Sequence, residues 1–406
     1  MKYTFKDICT KIGSGATPTG GKEAYKGGDY ALVRSQNVLD YTFTTSGLAY
    51  INETQAKKLD GVKVEVGDVL LNITGDSVAR ACIIPDEILP ARVNQHVAII
   101  RANNQYALNE YLLYFLQYNK QYLLSISQGG GTRSAITKKM IEDIEIDLPS
   151  IEDQLTIVNI INSISKKIEV NQQINDNLEQ QAEALYKSWF VDFEPFKDGK
   201  FIESELGQIP EGWRIYTLNE LMDIKRGSSP RPIQSYLSET GLKWLKISDA
   251  TSCSSPFIYE IQEHIKSEGL RNTVYLQKGA LVLSNSATPG LPKILGIDTC
   301  IHDGWLYFPI SKLSNPFMYL MFIKFRENLI SQANGSVFMN LKTEIVKNLK
   351  IALPKREIIE QFDLIISSVF NEIRNRTEEM LNLSKQRDTL LPKLMSGEIK
   401  INEIDC

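Results

Sequence analysis

Residues 148–190, LPSIEDQLTIVNIINSISKKIEVNQQINDNLEQQAEALYKSWF, are matched without a gap by residues 353–395, LPKREIIEQFDLIISSVFNEIRNRTEEMLNLSKQRDTLLPKLM, at an offset of 205. A repeat with a period of half the chain means that one structural plan is used twice. The match extends backwards at the same offset, pairing SQGGGTRSAITKKMIEDIEIDLP (127–149) with QANGSVFMNLKTEIVKNLKIALP (332–354). Both copies read as a Gly-containing loop, a short helix and a strand that ends in Leu-Pro. Further upstream KIGSGATP (11–18) resembles IKRGSSPRP (224–232), and GDYALVRSQN (28–37) resembles GLKWLKISD (241–249). Gly15 and Pro18 thereby correspond to Gly227 and Pro230.

The quoted stretches carry a heptad seam. Ile157, Ile161, Ile164, Ile168, Asn171, Asn175, Leu178, Ala182, Leu185 and Trp189 fall at alternating spacings of four and three, the signature of a helix that packs along one narrow stripe. The repeat carries this seam onto Phe362, Ile366, Val369, Ile373, Arg376, Met380, Leu383, Arg387, Leu390 and Leu394. Each helix is expected to be roughly 55–60 Å long at 1.5 Å per residue. Paired antiparallel, the seams set Ile157 against Leu390, Ile164 against Leu383, Leu178 against Val369 and Leu185 against Phe362. At the centre Asn171 faces Arg376, a polar pair that disfavours other registers. Pro392 is expected to end or kink the second helix near Leu391.

The bodies that precede the helices mix short β-type runs with helical stretches. VLLNITG (69–75), VAIIRA (97–102), ALVLSNS (280–286) and WLYFPI (305–310) read as strands bounded by turn residues, whereas 108–126 and 314–332 read as helical. The fold class is α+β: two globular domains separated by two long antiparallel coiled-coil helices, related as a pseudo-twofold internal repeat. The expected boundaries are 1–147 and 199–351 for the bodies, with helical spacers at 148–198 and 352–406.

The 406-residue chain is 43% hydrophobic, an ordinary globular composition that can bury a large core. It shows no run of apolar residues long enough to span a membrane and no apolar secretory leader, so a cytoplasmic location is expected. Five scattered cysteines without a CxxC pair, and three dispersed histidines, argue against a disulfide framework or a zinc site. The net charge of −4 conceals an uneven distribution. Segments 148–198 and 352–406 carry −5 and −2, whereas 1–147 is neutral and 199–351 carries +3.

Catalytic signatures are missing. GSGATPTGGKEAY (13–25) approaches a phosphate-binding loop, but Ala16 stands where the first Gly belongs, Glu23 replaces the metal-binding hydroxyl and Pro18 removes an N–H. The twin loop has no Gly-Lys pair, so the feature shared by both copies is a turn that feeds a strand. There is no Pro-Pro pair of the kind an amino-directed DNA methyltransferase needs, and Asp388 with Glu398 and Lys400 reads as a solvated helix tail rather than a nuclease site.

The bodies are instead rich in side chains that read bases and hold phosphates. Arg34, Gln36 and Asn37 in VRSQN have as twins Lys246, Ser248 and Asp249 in LKISD. Arg reads guanine, Gln and Asn read adenine and Asp accepts from cytosine, so the difference between copies is what two different half-sites require. Asn72 and Thr74, Asn285 and Ser286, and Arg92, Asn94, Gln95 and His96 extend the set, as do Lys225, Arg226, Arg231, Lys293 and His302. Gly129, Gly130 and Gly131, followed by Thr132 and Arg133, suit a backbone approach to phosphate.

The two Gly-x-x-Pro openings, the exits IEIDLP and KIALP, the helix end EALYKSWFVDFEP (183–195) and the terminal LLPKLMSGEI (390–399) together resemble the DNA-specificity subunits of type I restriction-modification enzymes, over essentially the whole chain. The resemblance implies two target-recognition domains, each reading half of a bipartite site in double-stranded DNA, with the helices as a ruler across an unread spacer. It implies a non-catalytic subunit that recruits two modification subunits, which methylate adenine with S-adenosylmethionine, and restriction subunits that use ATP and Mg²⁺. No cofactor is expected on this chain itself. The acidic helices and the aromatic residues Tyr186, Trp189, Phe190 and Phe193 are the candidate partner surface. Two rival classes are a coiled-coil adaptor that binds only protein, and a nuclease or methyltransferase with an unrecognised site.

Overall fold

The computed structural model describes residues 2–18, 25, 27–128, 135–333 and 340–399. The loop with Thr132 and Arg133, its counterpart around 334–338 and most of the Gly-Lys turn at 19–24 lie outside the described residues. The chain divides into two compact units, residues 1–167 with 383–406, and residues 168–382. Each unit takes in one globular body and a portion of both long helices.

In unit 1, strand Lys2–Thr4 pairs antiparallel with Glu145–Asp147. A four-stranded sheet follows the order Cys9–Ser14, Val97–Ala102, Val69–Asn72, Ala81–Ile83, and a three-stranded sheet the order Ala49–Ile51, Tyr30–Val33, Ala91–Val93. The last two of these run parallel. Strand alternation explains how the layers stack. Leu70, Val97 and Ile99 point into a core shared with Ala31, Val33, Ala91 and Val93 of the second sheet. Their neighbours Val69, Leu71, Ala98 and Ile100 point the other way, onto helix Asn109–Tyr118 and the long helices. A sheet covered on both faces needs continuous apolar runs, which is how VLLN and VAII read.

Unit 2 repeats this plan with added strands, each of its two larger sheets having five. Arg214–Thr217 pairs antiparallel with Lys350–Leu353, and Thr299–Ile301 lies parallel to Leu242–Leu245. Leu281, Leu283, Ile294 and Leu306 face one core, while Val282, Leu295 and Trp305 face the other. The strand at WLYFPI stops at Tyr307, because Pro309 cannot donate to a ladder and Ile310 is exposed.

The long helices run over Ile151–Phe190 and Arg356–Met395. Ser150 caps the first, its hydroxyl accepting from the Asp153 N–H at 3.1 Å. Within unit 1, Ile157, Val158 and Ile161 share a core with Leu391 and Leu394. Pro392 lies inside the second helix, which corrects the expected end near Leu391. Its ring costs about 3 kcal/mol, and burying two leucines contributes roughly 3–6 kcal/mol in return.

Within unit 2 the antiparallel register is the one the seams predict. Asn171 is fully buried, its side-chain carbonyl accepts from Arg376 Nη1 at 3.0 Å, and its amide donates to Glu379 Oε2 at 2.8 Å. One turn on, Asn175 donates to Thr377 Oγ1 at 3.2 Å. Cysteines placed at Leu178 and Val369, one heptad along, are expected to form a disulfide on mild oxidation. A pair at Leu178 and Arg376, displaced by two turns, is not; equal crosslinking of both pairs on a reducing versus non-reducing gel would contradict the register.

Candidate nucleic-acid interface

In each unit the chain crosses the end of the parallel strand pair at a glycine. Gly15 donates its N–H to Asn94 O at 3.1 Å, and a Cβ there would stand 1.7 Å from Val93 O. Gly227 donates to Trp305 O at 2.8 Å, and its Cβ would stand 2.2 Å from His302 O. This close approach, rather than phosphate binding, is what the shared glycine supplies. It brings four segments to one rim: the turn after the glycine, the residues after each of the two parallel strands, and the residues after the central strand of the adjoining sheet.

In unit 1 the rim presents Thr17, Arg34, Gln36, Thr74, Gln95 and His96. Thr74 Oγ1 lies 2.6 Å from His96 Nδ1, and Gln95 Nε2 lies 3.1 Å from His96 Nε2. Thr17 hydrogen-bonds to the Gln95 side chain. Gln36, exposed, reaches Gly47 O at 3.2 Å, and Arg34 donates to the same carbonyl with its guanidinium 6.0 Å from the Tyr25 ring centroid.

In unit 2 the rim presents Arg226, Ser229, Arg231, Lys246, Ser248, Ser286, His302 and Asp303, with Lys225 exposed beside them. Lys246 Nζ lies 3.0 Å from Glu263 Oε1. Asp303 accepts from Ser229 Oγ at 2.6 Å, which together with the nearby Arg226 holds its carboxyl below the ordinary range. His302 Nδ1 accepts from the Gly304 N–H at 2.8 Å, and burial depresses its pKa so that the ring is neutral at neutral pH.

Seven expected contact residues are withdrawn from the rim by burial. Asn37 and Asp249 are twins with the same structural role. Each side chain accepts from the backbone N–H of Arg34 or Lys246, at 3.1 and 2.9 Å, and so caps from its third position the short helix in which it lies. Asn72 donates to Ser35 O and Val38 O at 2.8 and 3.1 Å, fastening that helix to the central sheet. Asn94 accepts from the His96 N–H at 3.0 Å, and Asn285 donates to Asp303 O at 3.2 Å. Arg92 is committed to Ala56 O and Asp60. Lys293 donates to Cys253 O at 2.7 Å and to Ser255 O, and burial lowers its pKa. The first five of these shape the rim from beneath, whereas Arg92 and Lys293 are engaged elsewhere in the body.

The aromatic patch is corrected at two of its four residues. Tyr186 and Phe190 are buried in the unit 2 core, Phe190 standing 4.9 Å from Phe317 and 4.8 Å from Phe362 between centroids, while Trp189 and Phe193 are half-buried against Phe362 and Trp213. Edge-to-face packing of this kind closes a core rather than leaving a surface. Conversely, Thr17, Ser229 and Asp303 belong to the rim without having been expected there. Repeat alignment carried the signal, since Asp303 occupies in the second copy the place of Gln95 in the first.

Among the described residues no cluster of His, Cys, Asp or Glu is placed to hold a metal ion, and no helix is long and apolar enough to cross a membrane. A duplicated α+β body with matching polar rims on long paired helices defines a class of two-part readers. The family described as type I restriction modification DNA specificity domain matches residues 1–180 and 210–383, and the chain belongs to it. The type I restriction enzyme MjaIX specificity subunit of Methanocaldococcus jannaschii is 26% identical over 412 residues, covering 98% of this chain and 93% of that protein. The HindI specificity subunit of Haemophilus influenzae is 25% identical over 438 residues, covering 91% and 94%. The crystal structure of a type I restriction-modification S subunit from M. genitalium shares the fold, with a TM-score of 0.56 at 13% identity over 97% of this chain and 95% of that one.

Gly15→Ala and Gly227→Ala are each expected to destabilise the protein by about 1–3 kcal/mol or more, as overpacking does. Gly61→Ala, where a Cβ meets nothing within 4 Å, serves as control. Thermal unfolding checks this, and equal melting temperatures for all three would refute the close-approach account.

Proposed function

We propose that this chain is the sequence-reading subunit of a type I restriction-modification complex in which each body reads one half of a bipartite site in double-stranded DNA. The long helices fix the number of unread base pairs between the halves and recruit two modification subunits, to which restriction subunits attach. Catalysis then belongs to the partners: adenine methylation from S-adenosylmethionine on the modification subunits, ATP- and Mg²⁺-dependent cleavage on the restriction subunits, all on DNA in the cytoplasm. The chain itself contributes recognition and no chemistry.

The observation that carries this reading is the twin rim. Equivalent segments converge at the same strand ends in both bodies, yet the side chains differ: one arginine, two amides and an imidazole on the first, and two arginines, a lysine, an imidazole and a carboxylate on the second. A shared frame with divergent tips is what two different half-sites demand, because groove edges are discriminated by donor and acceptor pattern. The near-neutral charge of the whole chain fits a subunit whose partners supply much of the phosphate neutralisation, since phosphate contacts position a protein without specifying sequence.

Replacing residues 1–147 by the corresponding body of another such subunit is expected to change one half-site and leave the other untouched, read out by single-molecule sequencing of methyladenine in cells that carry the partner genes. A change in both halves, or in neither, would defeat the modular reading. Adding one heptad to both helices is expected to lengthen the spacer with the bases unaltered; new bases at either half would rule out a ruler.

A further inference from the structure

The second body carries a cleft of about 750 Å³ at its rim, lined by Ser229, Arg231, Trp244, Lys246, His302 and Asp303 among others. Its charge is unevenly balanced. Lys246 is neutralised by Glu263 at 3.0 Å, and partial burial works against a charge on the His302 ring. One carboxylate remains for two guanidinium groups: Asp303 Oδ2 stands 3.8 Å from Arg226 Nη2 and 3.5 Å from Arg231 Nη2. Arg226 is further tied by its Nε–H to Asp303 O at 2.5 Å, whereas the Arg231 side chain is 81% exposed.

Asp303 is itself fixed. Its Oδ1 accepts from Ser229 Oγ and its main-chain carbonyl also accepts from Asn285. The carboxylate therefore touches one edge of Arg231 and leaves the rest of a five-donor planar fork facing solvent. That single contact, at 3.5 Å to an 81% exposed side chain, biases the direction of the guanidinium without immobilising it. The ligand edge that matches a free arginine fork in the major groove is guanine O6 with N7. In the first body the equivalent position is Gln95, bonded to Thr17 and His96, and no such carboxylate-backed arginine forms there among the described residues.

Resting on the reading of the second body as a half-site reader, we propose that Arg231 reads a guanine in that half-site and that Asp303 is the positioning residue that orients it. The half-site of the second body then contains a G·C pair, whatever its other bases are.

The test is single-molecule sequencing of methyladenine in cells that carry the partner modification gene with the wild-type chain, Arg231→Ala, Asp303→Asn or Asp303→Glu. Exchange of residues 1–147 assigns the unchanged half to the second body. The expected result is a G·C pair in that half whose discrimination falls about 10- to 100-fold in Arg231→Ala. Asp303→Asn relaxes the same pair less, Asp303→Glu keeps it, and the other half-site is unaffected in every variant. A second half without a G·C pair, a consensus unchanged in Arg231→Ala, or relaxation in both halves overturns the assignment. So does a uniform drop in methylation with the consensus intact, the mark of a merely structural residue. Should Asp303→Asn fail to fold, the exposed Arg231→Ala still decides. If the wild-type chain directs methylation to no bipartite motif, the half-site reading itself fails, a result distinct from any of these.

Discussion

The register of the helix pair rests on a side-chain amide. Apolar seams of leucine, isoleucine and valine would tolerate a slip of one heptad at modest cost, because their residues are interchangeable in size and chemistry. Asn171 would not. It is fully buried and uses both ends, accepting from Arg376 and donating to Glu379. A slip would leave the Asn171 amide without partners in the seam, since Arg376 would keep only Glu372 of its own helix, and unpaired buried polar groups are costly. Within unit 2 the contacts of the second helix with the body, Glu378 with Tyr259 and Thr377 with Ser255, presuppose that register.

The two bodies show how far a duplicated plan diverges before it ceases to be one plan. Strand order, the glycine crossing and the capped short helix persist, and even the caps correspond: Asn37 in one copy and Asp249 in the other perform the same bond to the residue three before. What changes is the layer above. Gln95 with His96 becomes Asp303 with Gly304, and the imidazole moves one strand end away, to His302. A Cβ at Gly304 would stand 2.3 Å from His302 Cε1 and 2.7 Å from Ser286 Oγ, so a larger residue there displaces one of those side chains.

The helices, their antiparallel register and the repeat were legible because each depends on periodicity, which a linear string preserves. The class of fold followed from apolar runs separated by turns. The rim was legible only as a set. Asn37, Asn72 and Asp249 have the residue types of base readers and the positions of caps and fasteners, and only burial separates the two uses. The aromatic residues at the end of the first helix failed for a related reason, since Tyr186 and Phe190 serve a core with the same rings that would serve an interface. Pro392 misled because the rule for proline is local, whereas the two leucines beside it are held by the rest of unit 1.

Both faces of the central sheet in each body are occupied, one by the second sheet and the other by helices, so the strand ends are where side chains can vary without disturbing a core. On the proposed reading, recognition and stability fall to different residues, so that what is read can change in four short segments while the interior keeps its packing. The same separation limits what such change can reach. The glycine crossing fixes how closely those segments approach one another, so new vocabularies arise by changing the letters on a rim of constant shape, and a rim of another shape must be inherited whole.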